Sequence, residues 1–377
     1  MRQEIDIVFA LLRSALDGTV PEIEPLDASR WWNLFRLLQK NHVAALVTDG
    51  VSRLPQALQP PRDVFIPWLA EQEKASAWYR HQQQVQQKIV DLLQQNGINT
   101  LVLKGTHTAQ YYPNPELREF GDLDLYFYDK HDEADRLIQR RFSIDITNDI
   151  NHHTKYNLSG VTVESHYHLL NHYHPHSNRS YEALLKELIS ENYQPSTLLP
   201  ASQALSTSDS KKNPAKNSKL STFEILFLLR HMACHFAASR ITLRDLVDWA
   251  LTCCALHDKV DWEKVNTVVK DFGMEPFFSA LNTIVAQRLG QQTLNDSQTH
   301  GLTDTKTQHL LERDIIYGNP QSAEREREDL GRLVWKLRRW RANRWKQRLV
   351  FNDSPFSLWF SNLGAHTHNP RSILHKM

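Results

Sequence analysis

Two acids spaced two residues apart carry the sharpest chemical signal in this 377-residue chain. In Arg118-Glu-Phe-Gly-Asp-Leu-Asp-Leu-Tyr126, Asp122 and Asp124 alternate with Leu123 and Leu125. On a strand, both acids then project from one face while the leucines enter the core. Two carboxylates aimed at one point repel unless a cation lies between them. Oxygen donors of this kind suit a hard divalent ion, Mg²⁺ first and Mn²⁺ as the alternative, held together with substrate phosphates. Glu164, in Val161-Thr-Val-Glu164, is expected on a later strand of the same sheet, where it completes the carboxylate set of a two-metal phosphoryl-transfer site.

Upstream, Leu101-Val-Leu-Lys-Gly-Thr106 reads as a strand ended by glycine. Gly105 lets a phosphate approach its backbone and the start of the next helix, and Thr106 offers a hydroxyl. Glu164, His166 and His168 share strand parity, so the histidines are expected beside the third carboxylate. Such a histidine can position an acceptor hydroxyl, stabilise phosphate charge, or ligate a transition metal. His166 is the preferred member. Seven of the 19 histidines fall within residues 152–176, with His172, His174 and His176 expected in a loop. A solvated cluster at the substrate edge is preferred here over a dedicated zinc or manganese site. His231 and His235 are four apart on a helix, but Met232 stands where a His-Glu-x-x-His metalloprotease needs Glu. They are read as partly buried supports bonded to Arg244, Asp245 or Asp248.

The elements that position these groups follow from periodicity. Residues 1–96 read as a helical N-terminal region: Asp27-Ala-Ser-Arg starts one helix, Pro55 to Pro67 is a connection, and a long helix runs from about Trp68 to Gln95. Residues 97–194 carry short β-rich runs at 100–103, 123–128, 143–147, 154–158 and 161–168, with helical pieces at 106–112 and 130–141. Residues 195–220 are polar and aperiodic, a linker or mobile insertion. Ser221-Thr-Phe-Glu224 has the capping-box pattern and opens a helical region over 221–320. Residues 321–377 hold a basic Trp/Arg-rich helix and tail. The fold class is therefore α+β, a small mixed sheet flanked by N-terminal and C-terminal helical regions.

Composition sets limits. Lys plus Arg number 44 against 43 Asp plus Glu, a formal charge of +1 with 41% hydrophobic residues, which argues against a uniformly basic coat or an acidic disordered chain. Residues 332–348 nevertheless hold eight cations and no acid, interleaved with Trp335, Trp340 and Trp345. That helix either docks on the acidic remainder with its cations solvated, the preferred reading, or binds RNA or an anionic surface. Three cysteines, two of them adjacent, exclude a disulfide framework and a cysteine-built zinc site. No run is long enough to form a transmembrane segment and the acidic start does not resemble a signal peptide, so a cytoplasmic location is expected.

The order strand, Gly-Thr turn, helix, Asp-x-Asp strand, later acidic strand resembles the nucleotidyltransferase superfamily with a polymerase-β-like palm. The Leu-Lys-Gly variant is similar to an uncharacterised bacterial group, nucleotidyltransferase family 5. The likeness extends to Trp32-Asn-Leu-Phe-Arg-Leu-Leu-Gln-Lys-Asn-His-Val-Ala-Ala-Leu, Leu229-Arg-His-Met-Ala-Cys-His235 and Leu243-Arg-Asp-Leu-Val-Asp248, about residues 30 to 290. It implies that Asp122, Asp124 and Glu164 hold metal ions and carry catalysis, and that Gly105-Thr106 lies beside a triphosphate. Lys104, where the wider superfamily has an apolar residue, is expected to meet a phosphate, with Arg118 as a second phosphate contact. Thr106 stands where the pattern has Ser, and the interval from Gly105 to Asp122 is longer than in minimal members. The implied reaction transfers a nucleoside monophosphate from an NTP, ATP being the first expectation, to an unidentified acceptor. The alternative is a non-catalytic nucleotide- or partner-binding module on the same fold.

Overall fold

The computed structural model describes residues 2–149, 152–171, 177–190, 214–291, 305–318 and 329–352. His172, His174 and His176 lie outside these residues, as does most of the expected linker at 195–220. Among the described residues up to 190 the helices are α1 (Arg2–Asp17), α2 (Ala28–Lys40), α3 (Ala44–Ser52), α4 (Arg62–Gln95), α5 (Thr106–Ala109), α6 (His131–Phe142) and α7 (Asn178–Ser190). After them come α8 (Pro214–Ala238), α9 (Leu243–Leu256), α10 (Trp262–Asp271), α11 (Glu275–Ile284), α12 (Thr305–Tyr317) and α13 (Asp329–Val350). Among the described residues no helix is long and apolar enough to cross a membrane.

The strands β1 (Leu101–Val102), β2 (Leu123–Tyr126), β3 (Thr147–Asp149), β4 (His153–Leu158) and β5 (Val161–His166) form one mixed sheet in the order β1-β2-β5-β4-β3. The β2–β5 pair is parallel and the others are antiparallel. Residues paired directly across strands point to one side of a sheet. On one side, Leu123, Leu125, Tyr156, Leu158, Val161 and Val163 pack against Val85, Ile89 and Leu93 of α4 and against Ala134 and Ile138 of α6. On the other side, Leu101, Leu103 and Tyr126 join the large core of the helical body, with Trp31, Trp68, Phe227, Leu229 and Trp249. Asp124 and Glu164 have the parity of this second side, so the fold places them between sheet and helices.

Helix α4, about 50 Å long at 1.5 Å per residue, serves both cores. Val64 and Trp68 near its start lie in the helical body, whereas Val85, Ile89 and Leu93 back the sheet. Asp27 caps α2 as expected, its side chain accepting from the Arg30 N–H.

Several elements differ from the sequence reading. Helix α4 begins at Arg62 and passes through Pro67. A proline this near the N-terminus removes one intrahelical bond, and burial of Val64 and Trp68 holds the turn. Helix α8 begins at Pro214, so Ser221 and Glu224 lie inside it and Ser221 is a buried helical residue instead of a cap. The strand expected at 143–147 starts only at Thr147, because Ser143 adopts a left-handed conformation (φ +53°) that ends α6. Likewise β2 stops at Tyr126, before Tyr128 with φ +55°.

Candidate active site

The site rests on the parallel β2–β5 pair, whose register sets Asp124 opposite Glu164 and Tyr126 opposite His166. The antiparallel β4 adds Lys155 beside Glu164 and His153 beside His166. Alternation of side chains then brings Asp124, Glu164, Lys155, His166 and His153 to one face. Asp122 precedes β2, where its backbone leaves the ladder, and its side chain is 40% exposed, against 3% for Asp124.

Positive charge surrounds the acids. Lys104 Nζ lies 3.2 Å from Asp124 Oδ1 and 3.0 Å from His231 Nε2 on α8. Lys155 Nζ bridges Asp122 Oδ2 at 3.3 Å and Glu164 Oε1 at 3.2 Å. His166 Nε2 stands 3.1 Å from Asp124 Oδ1 and 3.8 Å from Glu164 Oε2. Burial opposes the charge of Asp124, but the Lys104 ammonium and His166 outweigh it and hold the carboxyl far below the usual range. Glu164 moves the other way: burial, then the charge of Asp124, raises its pKa. The two facing carboxyls are thereby separated in basicity.

Three imidazoles cluster at the end of this row. The rings of His152, His153 and His166 lie 4.6 to 5.2 Å apart, centroid to centroid. Burial, reinforced by His166 and His153, pushes His152 down to about 2, so it is neutral. On the helical side, desolvation and then the Lys104 charge lower both His231 and His235, whose tilted rings lie 4.4 Å apart, centroid to centroid.

Gly105 turns the chain from β1 into α5 with φ +70° and ψ −114°. A Cβ there would meet nothing closer than the Asp122 carbonyl oxygen at 3.8 Å, so the backbone conformation is what demands glycine. The Thr106 hydroxyl donates to Gln86 Oε1 of α4, which ties the turn to the long helix.

The structure thus brings together Lys104, Asp122, Asp124, Glu164 and His166, with Gly105 near the Asp122 carbonyl, whereas the buried Thr106 hydroxyl is turned to Gln86 and not to the acids. Arg118 is placed elsewhere. Its guanidinium grips Asp248 of α9 through Nε at 2.8 Å and Nη2 at 2.7 Å, with both side chains 5% exposed. Tyr112 OH donates to the same carboxylate at 2.6 Å. The expected phosphate contact is corrected to a buried strut between the sheet region and the helical body, because the guanidinium is turned onto the Asp248 carboxylate and is 5% exposed, out of reach of a phosphate arriving from solvent. His231 is corrected as well, its polar partner being Lys104 and not Arg244, Asp245 or Asp248.

Lys155, His153 and Gln86 are site neighbours that sequence reasoning missed. Lys155 and His153 share parity in His153-Thr-Lys-Tyr-Asn-Leu158, a signal present in the sequence, but only the β4–β5 register points them at the acids.

A family model described as an uncharacterised nucleotidyltransferase matches residues 27–290, more than two thirds of the chain. The chain belongs to this nucleotidyltransferase family. No curated protein and no solved structure matches it. The family match spans every residue of the carboxylate row and all of α8, whose His231 contacts Lys104.

Proposed function

We propose that the protein is a metal-dependent nucleotidyltransferase that moves a nucleoside monophosphate from an NTP, ATP first, to an acceptor and releases pyrophosphate. The observation that carries this reading is the register of Asp124 against Glu164 on parallel strands, with Asp122 at the strand entrance. Three acids held beside two ammonium groups form a donor set that fits a divalent cation. Lys155, whose side chain is 41% exposed, already supplies positive charge between Asp122 and Glu164, where a divalent cation would be held. A bound cation, Mg²⁺ on the oxygen donors alone, supplies charge neutralisation and orientation of the triphosphate.

The chain's own groups do the rest. Asp124 stays ionised because Lys104 and His166 hold it so. Glu164, the more basic of the facing pair, takes the proton of the acceptor O–H or N–H as the acceptor attacks the α-phosphorus. A bond forms from the acceptor atom to phosphorus, and the bond from phosphorus to the bridging oxygen breaks, its electron pair leaving on pyrophosphate. Lys104 offers a point charge to a phosphate oxygen near the Gly105 turn. Pyrophosphate release from ATP in cell extract, compared between wild type and the Asp122→Asn/Asp124→Asn double variant, tests the reading. Equal release from both proteins would overturn it.

One observation favours a polyanionic acceptor such as RNA. Arg338, Arg341, Arg344 and Arg348 are all exposed on α13 at near-helical spacing, whereas Lys346 is buried on Asp314 at 2.6 Å and Trp345 packs on Phe236. The helix therefore docks through Trp345 and Lys346 and presents arginines outward. Salt-sensitive RNA binding that disappears on replacing Arg338, Arg341 and Arg348 is the expected result, and unchanged binding removes this acceptor class.

A further inference from the structure

We propose that the carboxylate centre is a mixed carboxylate–imidazole site that prefers a first-row transition metal ion to Mg²⁺, with His166 and His153 joining Asp124 and Glu164 as ligands. The inference rests on the metal-dependent reading above and names the cation class of that same site.

The geometry of His166 carries it. Its Nδ1 lies 3.3 Å from the backbone carbonyl oxygen of His168, which can only accept, so that nitrogen donates and the ring is turned with Nε2 toward the acids. Nε2 faces Asp124 Oδ1 at 3.1 Å and Glu164 Oε2 at 3.8 Å. One ligand atom from each of the three residues converges on a common point, where a shared cation would be bound. An imidazole whose far nitrogen is pinned by a carbonyl is the arrangement metal-ligating histidines use to fix ring orientation. His153 Nε2 approaches the same acid from the other side, 3.5 Å from Glu164 Oε1. Adjacent ligand atoms around an ion bound at 2.0–2.2 Å stand about 3 to 3.5 Å apart, so His166, Asp124 and Glu164 need only small shifts to close on one, and His153 joins them through a turn of its ring or of the Glu164 carboxylate.

A third imidazole supports the set. His152 Nδ1 is buried with no hydrogen-bond partner among the described residues, and its ring abuts those of His153 and His166. The donor atoms of Asp124, Glu164 and His166 lie within 4.8 Å of one another, as do those of His152, His153 and His166, so the two groups share His166. Mg²⁺ favours oxygen and water at its six positions and gains little from imidazole, whereas Mn²⁺ and its first-row neighbours accept nitrogen readily.

The test is metal binding by the full chain without nucleotide, using Mn²⁺ and Mg²⁺ as probes. Expected are Mn²⁺ bound about tenfold or more tightly than Mg²⁺, and nitrogen hyperfine couplings from imidazole in the pulsed EPR spectrum of the bound Mn²⁺. His153→Asn should abolish most of that preference and reduce the nitrogen signal. The wild-type spectrum decides the matter even where a variant folds poorly. Equal affinity for the two ions, bound Mn²⁺ with no nitrogen coupling, or no binding of either ion overturns the inference. Pyrophosphate release in Mg²⁺ alone keeps the transferase reading standing in each of those cases. Nitrogen-coupled Mn²⁺ with no release under any metal supports the centre and removes the transferase reading.

Discussion

Asp124 and Glu164 face each other across a parallel strand pair, yet their environments drive them apart: Lys104 and His166 keep Asp124 ionised, while burial and Asp124 itself make Glu164 a stronger base. The pairing therefore sets two carboxyls of unlike basicity side by side. Neither basicity belongs to the Asp-x-Asp motif as such, since both depend on residues delivered by β1 and β5.

Asp122 and Asp124 should separate in their cost to stability. Either replacement by Asn is expected to lower pyrophosphate release by about 100-fold or more, because each removes a carboxylate that would hold the cation orienting the triphosphate. Thermal unfolding should fall mainly for Asp124→Asn, which leaves the Lys104 ammonium and the His166 Nε2 facing a neutral amide in a site 2% exposed. Asp122 is much more exposed, and its one contacting ammonium, Lys155, retains Glu164. Matched melting temperatures for the two variants would refute this division.

Arg118 and Asp248 should behave as structure and not as substrate contacts. Removing one partner of this buried bidentate pair, as in Arg118→Met or Asp248→Leu, is expected to cost about 3 to 5 kcal/mol. The double variant should recover part of that loss, since no buried charge remains alone. Chemical denaturation measures both effects, and the KM for NTP of any folded variant should stay near wild type. A raised KM without loss of stability would return Arg118 to the phosphate site.

How much of this was legible beforehand depends on the range of the interaction. The alternation of Asp122, Leu123, Asp124 and Leu125 is local, and it placed Asp124 on the face of β2 that meets Glu164, whereas Asp122 lies just before the strand. The parity of Glu164 and His166 was equally local. Arg118 looked like a phosphate ligand because its partner, Asp248, is 130 residues away and nothing in the motif announces it. Lys155 was passed over because its relation to Glu164 exists only once β4 and β5 choose their register. Helix starts failed where tertiary burial outweighed local signals: Val64 and Trp68 carry α4 across Pro67, and α8 continues through a capping-box sequence at Ser221 that it never uses. Short-range periodicity therefore showed which residues share a face, and long-range pairing determined which charges meet there.

Glu119 should make stability depend on pH near neutrality. Its carboxylate accepts from the Ala45 N–H at 3.0 Å, with His42 Nδ1 3.9 Å away, and its side chain is 14% exposed. Burial, aided by the charge of Glu71 against the Ala45 bond and Arg244, pushes its carboxyl up to about 7 from an ordinary 4.5. The folded chain then keeps a proton that the unfolded chain has released, so stability falls as pH rises between those values. The contribution is complete below about pH 4.5 and lost above about pH 7, amounting to about 3 kcal/mol at most for a shift of this size. Glu119→Gln keeps an acceptor for the Ala45 N–H but does not titrate. Urea unfolding at pH 5 and pH 8 should show the variant gaining stability relative to wild type at the higher pH, with other titrating groups cancelling in the difference. An identical difference at both pH values would mean that Glu119 is already ionised across the window and that the Ala45 bond and Arg244 together outweigh its burial.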